Sequence, residues 1–214
     1  MTYNIIGDIA GRFDELMLLL TKMPEADKVI LVGDMIDRGP KSKEVIEWAM
    51  SNPNVIVIKG NHEDMMVDFY LDRKRYEDGI WFLNGGTATI KSYGCLLTPD
   101  KPSNDSRIRE ALNKDHIEWI DKLPIFFEDE GLYVSHAPWN GSFQLGHYKS
   151  AEDMIWNRYP PKKREGIFQV FGHNSSLTAY GNYAICIDNC SKKVLTGMHW
   201  PTKEIIEQQY LDKN

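Results

Sequence analysis

The chain has few cysteines, no long apolar run and no extended basic cluster. Its three cysteines are an odd number without regular spacing, which excludes a disulfide framework and favours a reducing compartment. No apolar run approaches the roughly 18 residues of a membrane span, and no leader-like segment opens the sequence. We therefore expect a cytoplasmic protein that does not enter a membrane.

The charge balance limits the kinds of partner. The net charge is −6, and the basic run PKKR at 161–164 is too short for a broad nucleic-acid-binding surface. An acidic protein that acts on phosphate groups must concentrate positive charge locally, in metal ions and a few arginines. Charge alone does not exclude a nucleotide substrate.

The length and the apolar pattern predict one α/β domain spanning 1–214. The first part alternates strands and helices, with strands at 3–7, 29–33 and 55–59 and helices at 13–23, 42–50 and 63–73. A less periodic helical insertion or cap is expected at about 76–123. Strands then follow in series, at 125–128, 132–135, 168–171, 183–187, 193–196 and 205–210. This order predicts a central two-sheet β-sandwich flanked by helices.

Residue types that bind metals stand directly after the apolar runs. They are Asp8, Asp34, Asn61 next to His62, His136 and His173. Carboxyl ends of strands are the usual place for sites in open α/β sheets. A mixed set of carboxylate, carboxamide and imidazole suits Mn²⁺, Fe²⁺ or Zn²⁺ better than an all-oxygen magnesium cage. The set predicts a two-metal site that hydrolyses phosphate esters through metal-activated water.

Further residues suit the handling of the proton and the phosphate. His62, beside the candidate ligand Asn61, is placed to give a proton to the leaving group, and Asp37 is a candidate to orient it. Arg38 offers a planar fork of donors for phosphate oxygens. No nucleophile-elbow motif is present, which argues against a covalent phospho-enzyme.

The motifs resemble those of the phosphoprotein-phosphatase branch of the calcineurin-like metallophosphoesterases. The matching segments are GDIAG (7–11), GDMIDRG (33–39), GNHE (60–63), SHA (135–137) and FGH (171–173). LNGG (83–86), LP (123–124) and IWNR (155–158) are similar to segments of the small bacterial and bacteriophage Ser/Thr protein phosphatases. The resemblance covers about residues 5–197 and implies the calcineurin-like metallophosphoesterase fold.

The resemblance also implies a role for each matching residue. Asp8 would bind the first metal, Asp34 would bridge both metals, and the second would be held by Asn61, His136 and His173. His62 would be the general acid with Asp37 as its partner, while Arg38 and Arg158 would clamp the phosphate. Lys59 stands where the family often has a substrate-binding arginine, so the charge is kept but not the bidentate geometry.

Ala10 departs from the family pattern, because a histidine ligand of the first metal is expected at that position. The first metal then keeps only Asp8 and Asp34 as clear protein ligands, and its affinity should fall. The alanine is open to three interpretations: an engineered substitution, a natural weakening, or a protein that only binds. We expect Mn²⁺ as the cofactor, as two ions or as one if the first site is too weak, with Fe²⁺, Zn²⁺ and Mg²⁺ as alternatives.

The leading function is a metal-dependent phosphoprotein or phosphomonoester phosphatase. A nucleotide phosphodiesterase or dinucleoside polyphosphate hydrolase is the alternative within the same chemistry, so the partner is a phosphorylated protein or a nucleotide. A disabled protein that binds phosphorylated ligands is the alternative from another class. Trp81 and Trp139 are candidates to stack on a base or ring. The sequence does not indicate an oligomeric state.

Overall fold

A computed structural model describes residues 1–77, 79–95, 105–141 and 154–211. Its first part alternates strands with helices as expected: β1 (Tyr3–Ile6), α1 (Phe13–Lys22), β2 (Lys28–Leu31), α2 (Ser42–Ser51), β3 (Val55–Val57) and α3 (Asn61–Leu71). Helix α3 begins two residues before its predicted start. The Glu63 carboxylate accepts a hydrogen bond from the Gly60 N–H at 2.8 Å, which caps the helix at Asn61.

The segment expected to form a cap is helical where it is described. A π-helical turn at Phe82–Gly86 leads into α4 (Thr87–Ser92), and α5 (Asp105–Ala111) and α6 (Lys114–Asp121) follow. Residues 78 and 96–104 of the expected cap lie outside the described residues. Buried side chains of the described helices, including Trp81, join the same apolar core as α1, α2 and α3. In these parts the segment is packed against the domain.

The second half is rich in strands. They are β4 (Phe126–Asp129), β5 (Leu132–Ser135), β6 (Phe168–Phe171), β7 (Thr178–Tyr180), β8 (Ala184–Cys186), β9 (Val194–Trp200) and β10 (Glu204–Gln209). The sequence did not predict β7, since three residues are too few to show an alternating pattern. Strand β9 extends to Trp200, beyond the predicted end at 196, and pairs with both β1 and β10.

Among the described residues the strands form two five-stranded sheets, in the orders β10-β9-β1-β2-β3 and β4-β5-β6-β8-β7. Alternate residues of β1 face different cores. Ile5 packs between the two sheets against Val134 and Val170, whereas Ile6 packs against the helices. Burying one such side chain contributes about 1.5–3 kcal/mol. The predicted α/β sandwich flanked by helices is confirmed.

Each sheet contains three neighbouring parallel strands. These are β1, β2 and β3 in the first sheet and β5, β6 and β8 in the second. Parallel strands end at the same edge of their sheet, so the loops that follow them gather there. Within the described ranges, no helix is both long and apolar enough to cross a bilayer.

Candidate metal centre

One polar side chain follows each of the six parallel strands, within four residues of the strand's end. In chain order they are Asp8, Asp34, Asn61, His136, His173 and Asp188. All six are buried. Five were predicted from the sequence, and the sixth, Asp188 after β8, was not. Both sheets therefore deliver ligand-type side chains to one place.

Glu63 fixes the loop after β2 against the loop after β3. Its carboxylate accepts hydrogen bonds from the backbone N–H groups of Asp34 at 2.8 Å and Met35 at 2.7 Å. The two loops lie so close that a Cβ on Gly33 would be 2.7 Å from the backbone nitrogen of Gly60. Glycine is required here because Gly33 also has a φ of +100°. The ligand-bearing loops are thus locked together before any ligand binds.

A cation fits among the side chains at the seam between the sheets. The Nδ1 atom of His136 lies 3.0 Å from the Val32 carbonyl, which can only accept, so Nδ1 carries the proton. Burial lowers the pKa of His136, which keeps the ring neutral, and its Nε2 therefore offers a lone pair. This Nε2 faces two oxygens, Asn61 Oδ1 at 2.9 Å and Asp34 Oδ1 at 3.2 Å. Three converging electron pairs repel one another unless a cation lies between them.

His173 completes this group. Ligand atoms of Asp34, His136 and His173 all lie within 4.8 Å of one another. Burial and then His136 lower the pKa of His173 to about 3, so its ring is neutral at pH 7. Its Nε2 is buried and has no hydrogen-bond partner in the described part of the chain. A buried nitrogen left without a partner is costly, and a metal ion satisfies it.

The side of the pocket around Asp8, where the first metal is expected, contains carboxylates in place of imidazoles. Asp8 accepts hydrogen bonds from the His173 backbone N–H at 3.2 and 3.3 Å, and Asp188 lines the same pocket. Burial, then the charges of Asp188 and Asp34, raise the pKa of Asp8 well above its usual range. Ala10 is buried beside these loops with a φ of +50° and supplies no ligand.

His62 and Asp37 form a buried pair beside the metal group. The Nδ1 atom of His62 lies 2.5 Å from Asp37 Oδ2. Burial lowers the pKa of His62, but Asp34 and Asp37 together outweigh it, so the pKa is raised. Asp37 is held from its other side by the Trp81 indole N–H at 3.1 Å and by the Thr89 hydroxyl at 2.5 Å. These contacts fix the orientation of the imidazole.

Two arginines lie at the mouth of the pocket. Arg38 donates to His62 Nε2 at 3.0 Å, and Arg158 donates to the His173 carbonyl at 2.8 Å. Both side chains are largely exposed, and both line the pocket together with Asp8 and Asp34. Lys59 lies apart from them, because its Nζ donates to the Asp121 carbonyl at 2.7 Å. Two of the three basic residues predicted to bind phosphate, Arg38 and Arg158, thus line the pocket.

Backbone strain is concentrated at this centre. Non-glycine residues with positive φ include Ala10, Asp34, Asp37, Arg38, His173 and Ser175. Such conformations cost of order 1 kcal/mol or more each, and they persist where the surrounding packing imposes them. The folded chain therefore holds its functional side chains in a geometry that the local sequence does not favour.

Several residues at the pocket were not predicted. Asp188 carries the same signal as the other candidate ligands, an acid directly after the apolar run 183–187. Trp156 also lines the pocket, with its ring edge-on to His173 at a centroid distance of 6.1 Å. Trp81, a candidate for base stacking, is instead buried against Asp37. Trp139 contacts Arg164, whose guanidinium carbon lies 5.4 Å from the ring centroid.

Comparison with known proteins finds a family model and several relatives that match this chain. A family model described as calcineurin-like phosphoesterase matches residues 1–195. An asymmetrical bis(5'-nucleosyl)-tetraphosphatase of Anoxybacillus flavithermus is 27% identical over 67% of this chain and 60% of its own length. Serine/threonine-protein phosphatase 2 of Escherichia coli is 30% identical over 71% of this chain and 66% of its own length. Both matches cover less than two-thirds of the relative.

The solved structures show the same architecture. A candidate diadenosine tetraphosphatase superposes with a TM-score of 0.69 at 17% identity, covering 99% of this chain and 95% of that one. At this identity the likeness concerns the fold alone. The match to serine/threonine-protein phosphatase 2 supports the resemblance to the phosphoprotein-phosphatase branch. On the family model's match to residues 1–195, the chain belongs to the calcineurin-like phosphoesterase family.

Proposed function

We propose that the chain is a divalent-metal-dependent phosphatase that hydrolyses phosphomonoesters, including phosphoprotein side chains. The observation that carries this proposal is the convergence of electron pairs from His136, Asn61 and Asp34 beside the buried pair His62–Asp37. Asp8, Asp34, Asn61, His136 and His173 are the proposed metal ligands. When bound, divalent ions acidify a water molecule and neutralise phosphoryl oxygens.

His62 is the proposed general acid. Its Nδ1 proton is held by Asp37, so Nε2 is the atom that can exchange a proton with the substrate. In the structure this Nε2 accepts a hydrogen bond from Arg38, which keeps it from holding a proton itself. A phosphate that draws Arg38 onto its own oxygens frees Nε2. The raised pKa of His62 then favours its protonation, and the proton passes to the leaving alkoxide.

Arg158 is the proposed second clamp on the phosphate. It is anchored through Nη1 to the His173 carbonyl, which leaves other N–H donors of the guanidinium for phosphate oxygens. Arg38 and Arg158 together supply the local positive charge that the acidic chain otherwise lacks. We assign no part to Lys59, because its ammonium group is directed at Asp121.

The test is hydrolysis of p-nitrophenyl phosphate and of a phosphoserine peptide with Mn²⁺, compared between the parent chain and His62→Asn. We expect a fall in kcat of about 10²–10⁴-fold, the usual contribution of a general acid. His116→Asn is the matched control, since this buried histidine contacts Tyr93 and is not among the residues that line the pocket. Equal activity in His62→Asn and the parent, or no turnover in either with Mn²⁺ bound, would contradict the proposal.

Hydrolysis of dinucleoside polyphosphates is the second candidate. It is favoured by the relatives named as bis(5'-nucleosyl)-tetraphosphatases. Trp156 at the pocket offers an aromatic edge near which a base could bind. The two candidates separate in one assay, where diadenosine tetraphosphate and the phosphoserine peptide compete at equal concentration. Preferential release of nucleotides would select this second function, and preferential release of inorganic phosphate the first.

A further inference from the structure

We propose that Asp188 is a protein ligand of the first metal and takes the place left by Ala10. The inference rests on the proposed function only in treating the pocket as a two-metal centre. It changes the expected nature of that centre, because the first metal would then have three carboxylate ligands, Asp8, Asp34 and Asp188.

The topology places Asp188 with the other ligands. It follows β8, which is the third parallel strand of the second sheet, two residues after the strand's end. Asp8 follows β1 of the facing sheet at the same offset. The loops touch, since a Cβ on Gly7 would lie 2.3 Å from the Ile187 carbonyl oxygen. Asp188 and Asp8 thus enter one pocket from opposite sides of the sandwich.

The carboxylate of Asp188 is oriented by the backbone. Its Oδ2 accepts a hydrogen bond from the Ser175 N–H at 2.5 Å, and its Oδ1 accepts one from the Cys190 N–H at 3.0 Å. Each carboxylate oxygen has two acceptor positions, so these two N–H groups leave lone pairs on the carboxylate for a cation. Partners that orient a carboxylate in this way are typical around metal ligands.

The buried charges of Asp8 and Asp188 also favour a cation between them. Asp8 is 3% exposed and Asp188 2% exposed, and their like charges repel each other within the pocket. Two buried carboxylates that face each other are unfavourable unless a cation or a proton compensates them. A divalent cation between Asp8, Asp34 and Asp188 removes this repulsion.

A separate observation indicates metal binding in the pocket that Asp188 lines, at the neighbouring second position. His173 lines the same pocket, and its buried Nε2 has no partner in the described chain. The backbone N–H of the same residue donates to Asp8. The unpartnered imidazole and the carboxylates are therefore parts of one rigid arrangement.

The ligand chemistry predicts a difference between the two metals. Three carboxylates form a hard, oxygen-only set that suits Mg²⁺ and Mn²⁺. Asn61 adds an amide oxygen, and His136 and His173 add borderline nitrogen ligands, a set that suits Mn²⁺, Fe²⁺ and Zn²⁺ at the second position. Under this assignment the replacement of the family's histidine changes the metal preference of the first site and leaves the site in place.

The test is Mn²⁺ binding to the purified chain, measured by isothermal titration calorimetry and by metal content after gel filtration. For Asp188→Asn we expect one Mn²⁺ to bind normally and the other to bind about 10–100-fold more weakly. Adding Ala10→His to Asp188→Asn should recover at least tenfold of that loss. Asp68→Asn is the matched control, since Asp68 is a buried aspartate that binds Arg75 outside the pocket.

Two Mn²⁺ ions bound to Asp188→Asn with the parent affinities would overturn the proposal. A second measurement does not depend on the variant folding. Anomalous scattering from Mn²⁺ in crystals of the parent chain should place the first ion about 2.0–2.6 Å from an Asp188 oxygen. An ion held by Asp8 and Asp34 with water in place of Asp188 would equally overturn it. Neither result depends on whether His62→Asn is active, so this inference and the proposed function fail separately.

Discussion

The two sheets contribute different ligand chemistry to the same pocket. The first sheet supplies oxygen donors only, on the proposed ligands Asp8, Asp34 and Asn61, whereas the second supplies two imidazoles and the proposed ligand Asp188. The first set is anionic apart from one amide, and the second has two rings whose pKa values are lowered by burial. The space between the sheets can therefore offer one position rich in carboxylates and another that includes neutral nitrogen.

Each set of ligands is also positioned by the opposite sheet. His136 of the second sheet donates to the Val32 carbonyl, which directly follows β2 of the first. Asp8 of the first sheet is held by the His173 backbone N–H of the second. This reciprocal bonding makes the geometry of the centre depend on the packing between the sheets, where Ile5, Val134 and Val170 are buried.

Among the substitutions that test the difference between the two sheets, His173→Ala has the largest expected effect on metal binding and activity. It removes a nitrogen ligand from the second sheet and leaves the carboxylates of the first sheet unchanged. We expect the loss of one of two Mn²⁺ ions and a fall in kcat/KM of more than about 100-fold, since even changes behind a metal ligand cost 10–100-fold. The measurements are Mn²⁺ stoichiometry and hydrolysis of p-nitrophenyl phosphate.

His116→Ala is the control for that change, because it removes a histidine on α6 whose contact is Tyr93. If His173→Ala retained both ions, the division of ligands between the two metals would be wrong. If it retained the activity but bound one ion less, the second metal would have no part in the chemistry.

The fold and most of the centre were predictable from the sequence because both depend on local patterns. The apolar run VILVG is followed by Asp34, and VIVIKG is followed by Asn61. One local pattern therefore predicts both the strand and the candidate ligand after it. The same rule applied to YAICI would have found Asp188. Asp188 lies outside the motifs that carry the family resemblance, so the resemblance does not indicate it.

Other features depend on contacts between distant parts of the chain. Lys59 follows a strand as the other candidates do, yet its ammonium group binds Asp121, which is 62 residues away. Trp81 lies in the expected cap, but its N–H reaches Asp37 across 44 residues. Periodicity and motif spacing carry no information on such pairings, because they are decided by how the helices pack against the first sheet.

Without metal, a buried histidine and two buried carboxyl groups of the centre should shift the stability with pH in opposite directions. Burial lowers the pKa of His173 from 6.5 to about 3, so unfolding takes up protons and stability falls as the pH falls below about 6.5. Burial and then Asp34 raise the pKa of Glu63 from 4.5 to about 7, so folding retains a proton and stability falls as the pH rises from 4.5 to 7. The raised pKa of Asp8 acts in the same direction as that of Glu63.

The metal-free chain is therefore expected to be most stable between about pH 4.5 and 6.5, with its Tm falling toward pH 8 by on the order of 2–4 °C for each kcal/mol lost. Mn²⁺ would replace the proton retained on the proposed ligand Asp8, so the gain in Tm on adding Mn²⁺ should be larger at pH 8 than at pH 5.5. Thermal melts in EDTA and in Mn²⁺ across this range measure both effects. An equal gain in Tm at both pH values would mean that no proton is displaced.

Trp81→Phe has the smallest expected effect and tests a part of the site that neither set of ligands supplies. The phenyl ring keeps most of the apolar packing beside Gly86 and Phe69 but removes the N–H that holds Asp37. Losing one such hydrogen bond, worth about 0.5–1.5 kcal/mol, should lower kcat about three- to tenfold through a less well oriented His62. KM and Mn²⁺ affinity should stay as in the parent, and Trp48→Phe, a half-buried tryptophan on α2, is the matched control. A loss of Mn²⁺ affinity in Trp81→Phe would instead mean that the Asp37 loop and the metal ligands of the first sheet move together.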